Sequence, residues 1–348
     1  MNHGVVLRDE IGIDIKYEQE NIRGYKVVRD GDYIVHLRSF QGGFAFSRLN
    51  GICSPAYTIL RPQPNMLEYG FLESYFYSSR FITSLKQVTY GIRDGRSISI
   101  GEWMQEKTSL PTLPEQRKIA ALLSLIDERI EVQNAIIKEQ EVAKTSLIRR
   151  LFDRTLRFPE FTDEWKECQI SDYGTVVTGS TPSTKDVENY EDDGFLWASP
   201  ADIDGSKFIE RTKITLSSKG FNRTRKLPPL SVLVVCIGSI GKIAMAKNEM
   251  ATNQQINSIV VNPLHSPEFV YYAIISRFRS YLSAVAVQVV PIISKSTFER
   301  LPNSTTSLPE QRKIAALLSA VDEQIAVEKE YATLLQKQKA YLLRQMFV

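Results

Sequence analysis

The chain is poor in the residues that staple or metallate a fold. Its three cysteines, Cys53, Cys168 and Cys236, lie far apart with no C-x-x-C spacing. A disulfide framework and a zinc knuckle are therefore both excluded as expectations, and reduced thiols in a cytosolic compartment are the simplest reading. The three histidines, His3, His36 and His265, are isolated from one another and from the cysteines, so no metal-ligand spacing arises. No apolar run approaches the ~20 residues that span a bilayer, and nothing at the start resembles a secretory signal. Charge of one sign is also lacking: 43 Lys and Arg stand against 40 Asp and Glu, a net charge of +3. Any electrostatic case must therefore be local. Catalytic motifs are absent too. Gly238-Ser-Ile-Gly-Lys242 fails as a phosphate-binding loop because Cys236 stands where the earlier glycine belongs and Ile243 follows the lysine. G-x-S-x-G, H-E-x-x-H, the dinucleotide fingerprint and the Asn-Pro-Pro-aromatic run of amino-methyltransferases do not occur, so no catalysis is expected of this chain by itself and no catalytic or metal residue is assigned.

What the chain does have is a repeat. Leu113-Pro-Glu-Gln-Arg-Lys-Ile-Ala-Ala-Leu-Leu-Ser124 recurs unchanged as Leu308 to Ser319, 195 residues later. The copies then drift but end alike, in SLIRRLF (146–152) and YLLRQMF (341–347). Pro114 and Pro309 suit a first helical turn, and Glu115 and Glu310 its positive end. No Gly or Pro interrupts either copy afterwards. In the first, Ile119, Leu123, Ile126, Ile130, Ile137, Leu147 and Leu151 follow alternating steps of four and three, with Gln133, Gln140 and Lys144 at the remaining seam positions. The second gives Ile314, Leu318, Val321, Ile325, Ala332, Leu335, Leu342 and Met346, interrupted by Glu328 and Lys339. These are coiled-coil seams, and the two helices should pair with each other. An amphipathic helix lying on a globular core would show the same stripe, but helices of about forty residues rarely fit inside one domain.

The expected organisation is α+β: two globular mixed α/β domains, each followed by a long helix. The boundaries are a domain over 1–112, a helix over 113–152, a second domain over 153–307 and a second helix over 308–348. The domains share a layout. Gly31 to Leu37 and Leu230 to Ile237 read as buried strands that lead into glycine loops. Ser54 to Leu60 and Asn253 to Val261 read as second strands, and Leu67 to Ser79 and Pro267 to Leu282 as helices rich in aromatics. About forty residues at the start of the second domain, from Phe158 to Trp197, have no counterpart before Met1. The first domain is then either smaller or shortened at its N-terminus.

Candidate binding residues are those that suit a nucleic acid. Between Lys207 and Lys226 lie seven basic residues, among them Lys207, Lys219, Arg223, Arg225 and Lys226, against the single acid Glu210. Phosphate is the obvious counterpart, and a solvated hairpin face the alternative. The amides of Asn253, Gln254 and Gln255, with Asn257, could pair bidentately with adenine, or could be ordinary polar residues at a strand edge. In the first domain Arg38, Arg48, Arg93 and Arg96 fall in loops, those of Gly91 to Arg96 the clearest. Arginine there suits guanine or phosphate as well as plain exposure.

The duplicated Leu-Pro-Glu-Gln-Arg-Lys-Ile-Ala starts, the alternation of dissimilar domain and shared helix, and Gly179-Ser-Thr-Pro-Ser183 together resemble the specificity subunit of bacterial Type I restriction-modification systems. The resemblance implies that each dissimilar domain is a target-recognition domain for one half of a bipartite, asymmetric DNA site. It implies that the helices pair antiparallel as a ruler between the halves. It also implies that two modification (methyltransferase) subunits dock there, with restriction/translocase subunits completing the assembly in the cytoplasm. S-adenosylmethionine, for adenine-N6 methylation, and ATP with Mg2+ would belong to those partners, with no cofactor and no membrane contact for this chain. Gly179, Ser180, Thr181, Ser183, Ser199, Lys242, Asn253 to Gln255, Ser294 and Lys295 match stretches that face DNA in such proteins. The first domain departs from the pattern in lacking a counterpart of Gly179 to Ser183. A self-contained DNA methyltransferase or nuclease, and a coiled-coil scaffold without a DNA role, are the competing readings.

Overall fold

A computed structural model describes residues 5–7, 19–36, 43–63, 65–91, 97–285 and 292–347. The chain divides into two compact units, one of Met1–Ile136 with Glu328–Val348 and one of Ile137–Val327. The division cuts both long helices, Leu113–Phe152 and Leu308–Met346, so each unit holds one α/β domain and a piece of each helix.

At 1.5 Å per residue each helix is about 60 Å long. Their pairing is seen inside each unit separately. In the first, Leu123 is buried with Phe347 against Ile119, Leu342 and Met346, in a cluster that Phe71 of the first domain also joins. In the second, Ile148 and Leu151 share a core with Ile314, Ala315 and Leu318. The early part of one helix thus meets the late part of the other, which is an antiparallel pair. Every apolar seam position expected from the sequence is buried or half-buried. Four of the five polar ones are paired across the seam: Lys339 with Asp127 at 2.5 Å, Lys144 with Asp322, and Gln133, whose Nε2 donates to Glu328 Oε2 at 2.5 Å; the fifth, Gln140, buries an Oε1 that accepts no hydrogen bond. Asp127 and Asp322 occupy one repeat position and Lys144 and Lys339 another, so a single contact is made twice. A buried leucine contributes roughly 1.5–3 kcal/mol, whereas a half-exposed ion pair contributes under about 1 kcal/mol. The apolar seam supplies the stability and the polar pairs fix the register.

In the first domain Tyr33–Val35 is the centre of an antiparallel sheet between Phe44–Phe46 and Thr58–Leu60. Helices Tyr69–Phe76 and Ser79–Gln87 cover it through Leu72, Phe76, Phe81 and Leu85. Each helix starts on a side-chain cap, Glu68 accepting from Phe71 N and Ser78 from Phe81 N. Just before the central strand the buried Asp32 is held bidentately by Arg61, at 2.7 and 2.6 Å.

The second domain repeats that three-strand centre as Ile243–Ala246, Val232–Val235 and Ile256–Val261, then adds Phe208–Ile209 at one edge and Gly174–Thr178 at the other. Val232 and Val234 face a core shared with helix Pro267–Val285, while Leu233 and Val235 face a second core on the other side. Burial on both faces explains why this strand reads as an unbroken apolar run instead of alternating. The first strand after each glycine loop, Phe44–Phe46 or Ile243–Ala246, is too short to stand out in the sequence, and it is the hairpin partner of the central strand.

The repeated block also fastens each helix to its domain. Gln116 Oε1 accepts from Glu68 N at 3.0 Å and its Nε2 donates to Pro111 O at 2.9 Å. Gln311 Oε1 accepts from Ser266 N at 2.9 Å and its Nε2 donates to Thr306 O at 2.8 Å. The neighbouring glutamates diverge. Glu115 caps its own helix through Thr112 N and Oγ1. Glu310, completely buried, takes both donors of Arg157 at 2.8 and 2.9 Å.

Candidate nucleic-acid interface

In the second domain five loops meet at one end of the five-stranded sheet. Gly179 begins the first, its N–H donating to Ile256 O at 3.0 Å while Ser180 N donates to Thr252 O at 2.8 Å. The approach is so close that a Cβ on Gly179 would lie 2.1 Å from Asn253 O and 2.4 Å from Thr252 O. Only glycine fits there. Thr181 Oγ1 then reaches Gln254 Oε1 at 2.5 Å, and Trp197 Nε1 donates to Ser180 O at 3.0 Å. Asn253 N donates to Ala198 O, which brings in the 198–202 turn, where Asp202 accepts from both the N–H and the hydroxyl of Ser199. Lys242, on the glycine loop after the central strand, donates to Pro200 O at 2.8 Å. Ile293 N donates to Cys236 O, which places Ser294 alongside.

The structure therefore brings together Gly179, Ser180, Thr181, Ser199, Lys242, Asn253, Gln254, Gln255 and Ser294, which are dispersed over more than a hundred positions in sequence. Their roles differ. Asn253 is buried and shapes the turn: its amide donates to Gln255 Oε1 at 2.9 Å and its Oδ1 accepts from Gln255 N at 3.0 Å. Gln254 and Thr181 are exposed. Ser294 caps the short helix Lys295–Glu299, within which Lys295 faces Glu299 at 3.5 Å. Ser183 O accepts from the Asn189 amide.

The basic tract splits into four environments. Arg225 joins the loop cluster, donating to Thr178 O at 2.7 Å. Lys219 and Arg223 turn instead to Asp186, at 3.1 and 2.8 Å, whose carboxyl their hydrogen bonds hold below its usual range. Lys226 lies over the Phe221 ring and donates to Asn222. Lys207 points inward: it donates to Ser319 Oγ on the second long helix at 2.7 Å and lies over Tyr272, and burial lowers its ammonium pKa. The acids that neutralise Lys219 and Arg223 lie some thirty residues upstream, so no local pattern announces them.

In the first domain Arg48 lies over Phe46, 5.7 Å from the ring centroid, in a groove it shares with Glu68, Glu73 and Arg117. Arg38, Arg93 and Arg96 lie outside the described residues.

Two α/β domains of common plan, each fastened by a repeated glutamine to one of two paired helices, with polar loops gathered at a sheet end, define a modular recognition protein. The chain belongs to the family described as the Type I restriction modification DNA specificity domain, whose profile matches residues 162–337. It is 29% identical over 191 residues to the Type I restriction enzyme MjaIX specificity subunit of Methanocaldococcus jannaschii, covering 53% of this chain and 44% of that one. It is 37% identical over 112 residues to the HindI specificity subunit of Haemophilus influenzae, covering 32% and 24%. Both matches thus span less than half of the relative's length. The fold is similar to that of a Type I restriction-modification S subunit from M. genitalium, with a TM-score of 0.58, 16% identity, and coverage of 93% of this chain and 84% of that one.

Proposed function

We propose that this chain reads a bipartite DNA site on behalf of a Type I restriction-modification assembly and performs no bond chemistry itself. The observation that carries the reading is the convergence of Thr181, Gln254, Arg225 and Lys242 at one sheet end. Exposed amide and hydroxyl groups suit base edges, and the cations beside them suit phosphate. Each domain reads one half-site, and the helix pair sets the gap between them.

The helices also offer partners a surface. Leu122, Leu125, Val132 and Ile136 on the first helix, and Tyr331, Leu334 and Tyr341 on the second, are exposed one position before the seam. Arg129 Nη2 donates to Tyr331 Oη at 2.5 Å, so both stripes run along one side of the pair. A side this rich in exposed apolar residues supports docking of the modification subunits, which carry S-adenosylmethionine, with restriction subunits supplying ATP- and Mg2+-dependent steps. No described helix is long and apolar enough to cross a membrane, in keeping with a cytoplasmic complex.

Mapping methylated adenines genome-wide in cells with and without this chain tests the reading. It expects one asymmetric motif of two half-sites that disappears with the chain. Methylation that persists unchanged, or methylation by the purified chain alone, contradicts it.

A further inference from the structure

Gln116 and Gln311 stand at one position of the repeat, and each is only 1% exposed. Both are spent in the same way. The Oε1 accepts the N–H of the residue that precedes the domain's aromatic helix, Glu68 before Tyr69–Phe76 and Ser266 before Pro267–Val285. The Nε2 donates to the carbonyl five residues upstream, Pro111 or Thr306. Further contacts fill out each amide: Met66 O at 3.2 Å for Gln116, and Thr305 Oγ1 at 3.1 Å with His265 Nδ1 at 3.2 Å for Gln311. One side chain thus ties the entry of a long helix, the segment leading into it and the start of a domain helix, and this is done twice with different surroundings.

An apolar residue of equal volume would fill the same space, but it would leave the Glu68 or Ser266 N–H and the Pro111 or Thr306 carbonyl without this partner. What the amide adds is direction: three fixed bonds define one angle where an apolar contact allows several. Glutamate could not substitute, since it lacks the donor needed by the upstream carbonyl.

We propose that Gln116 and Gln311 are positioning residues that fix the angle at which each recognition domain leaves its long helix, and so determine the gap tolerated between half-sites. This rests on the DNA-reading function proposed above. The lever is long enough to matter. A domain of this size has a radius of gyration near 14 Å, so a reading edge about 25 Å from the pivot moves ~4 Å for a 10° tilt. That exceeds the ~3.4 Å rise of one base pair.

The test replaces each glutamine singly with methionine, Gln116→Met and Gln311→Met, in the full chain within its complex, and maps adenine methylation across the genome. The expected result keeps both half-site sequences and adds gaps one base pair shorter or longer, at a tenth or more of the modified sites. Leu335→Ala, which weakens the first unit through a buried seam position, should lower methylation at the native gap without adding others. Gln116→Asn and Gln311→Asn keep donor and acceptor but shorten the reach, and they should add gaps as well if the methionine variants fail to fold. A single unchanged gap in folded variants of either kind overturns the proposal. If the wild-type complex itself shows no two-part motif, the DNA-reading function falls rather than the lock.

Discussion

Replacing Arg157 with methionine isolates one buried charge. The guanidinium donates to both oxygens of Glu310, and Arg157 keeps only 27% of its side-chain surface exposed while Glu310 keeps none. Removing one partner of a buried pair costs about 3–5 kcal/mol because the other charge stays behind uncompensated. Thr306 still donates to Glu310, so the lower figure, about 3 kcal/mol at pH 7, is expected. With a urea m-value of roughly 2–3 kcal/mol/M for a unit of this size, the midpoint of its transition should fall by about 1–1.5 M. The pH dependence is the sharper signature. Burial raises the Glu310 carboxyl, but hydrogen bonds from Arg157 and Thr306 outweigh it and hold the group below its usual value. A depressed carboxyl contributes stability that is present above the unfolded value, about 4.3, and is lost as pH falls through the folded one. The wild-type chain should therefore lose this contribution on acidification below about pH 4, while the variant has none to lose. Urea titrations followed by circular dichroism between pH 7 and pH 3 should show the two curves converging in acid, and adding Glu310→Gln to the variant should recover part of the loss at pH 7. A difference under 1 kcal/mol at pH 7, or one that stays constant with pH, would refute the reasoning.

Leu335→Ala in the buried seam should cost about 2–5 kcal/mol, whereas Lys339→Ala, which removes a half-exposed ion pair with Asp127, should cost under about 1 kcal/mol; thermal unfolding compares them, and equal losses would mean the seam is not what holds the helices. Gly179→Ala drives a methyl group into two backbone carbonyls, so duplex binding by the complex should weaken at least about tenfold, some 1.4 kcal/mol, while the long-helix pairing survives. Arg225→Ala should reduce the slope of log K against log salt by about one, as loss of a single phosphate contact does; an unchanged slope would remove Arg225 from the interface.

The helix pair was legible from sequence because one residue type at a fixed period decides which side is buried, and an exact duplication announced it. The common centre of the two domains was legible only in outline. Strands such as Phe44–Phe46 are three residues long, too short for a period to show, and become recognisable only by what they pair with. Gln116 and Gln311 escaped notice for a different reason. In a helix-entry motif a glutamine reads as a solvated position, and its partners Glu68 and Ser266 lie 48 and 45 residues away. The same holds for charge: Lys207 to Lys226 looked like one basic surface, yet Lys207 faces a helix and Asp186 engages Lys219 and Arg223. The candidate site was legible as residue types, and the fold decides which of them face outward.

The ruler is tested most directly by lengthening it. A four-residue insertion near the middle of both long helices shifts the seam by a stutter that coiled coils absorb and extends the pair by about 6 Å, near two base-pair rises of 3.4 Å. Methylation mapping should then return the original half-sites separated by a gap one or two base pairs longer. The original gap, retained by a folded and active complex, would contradict the account.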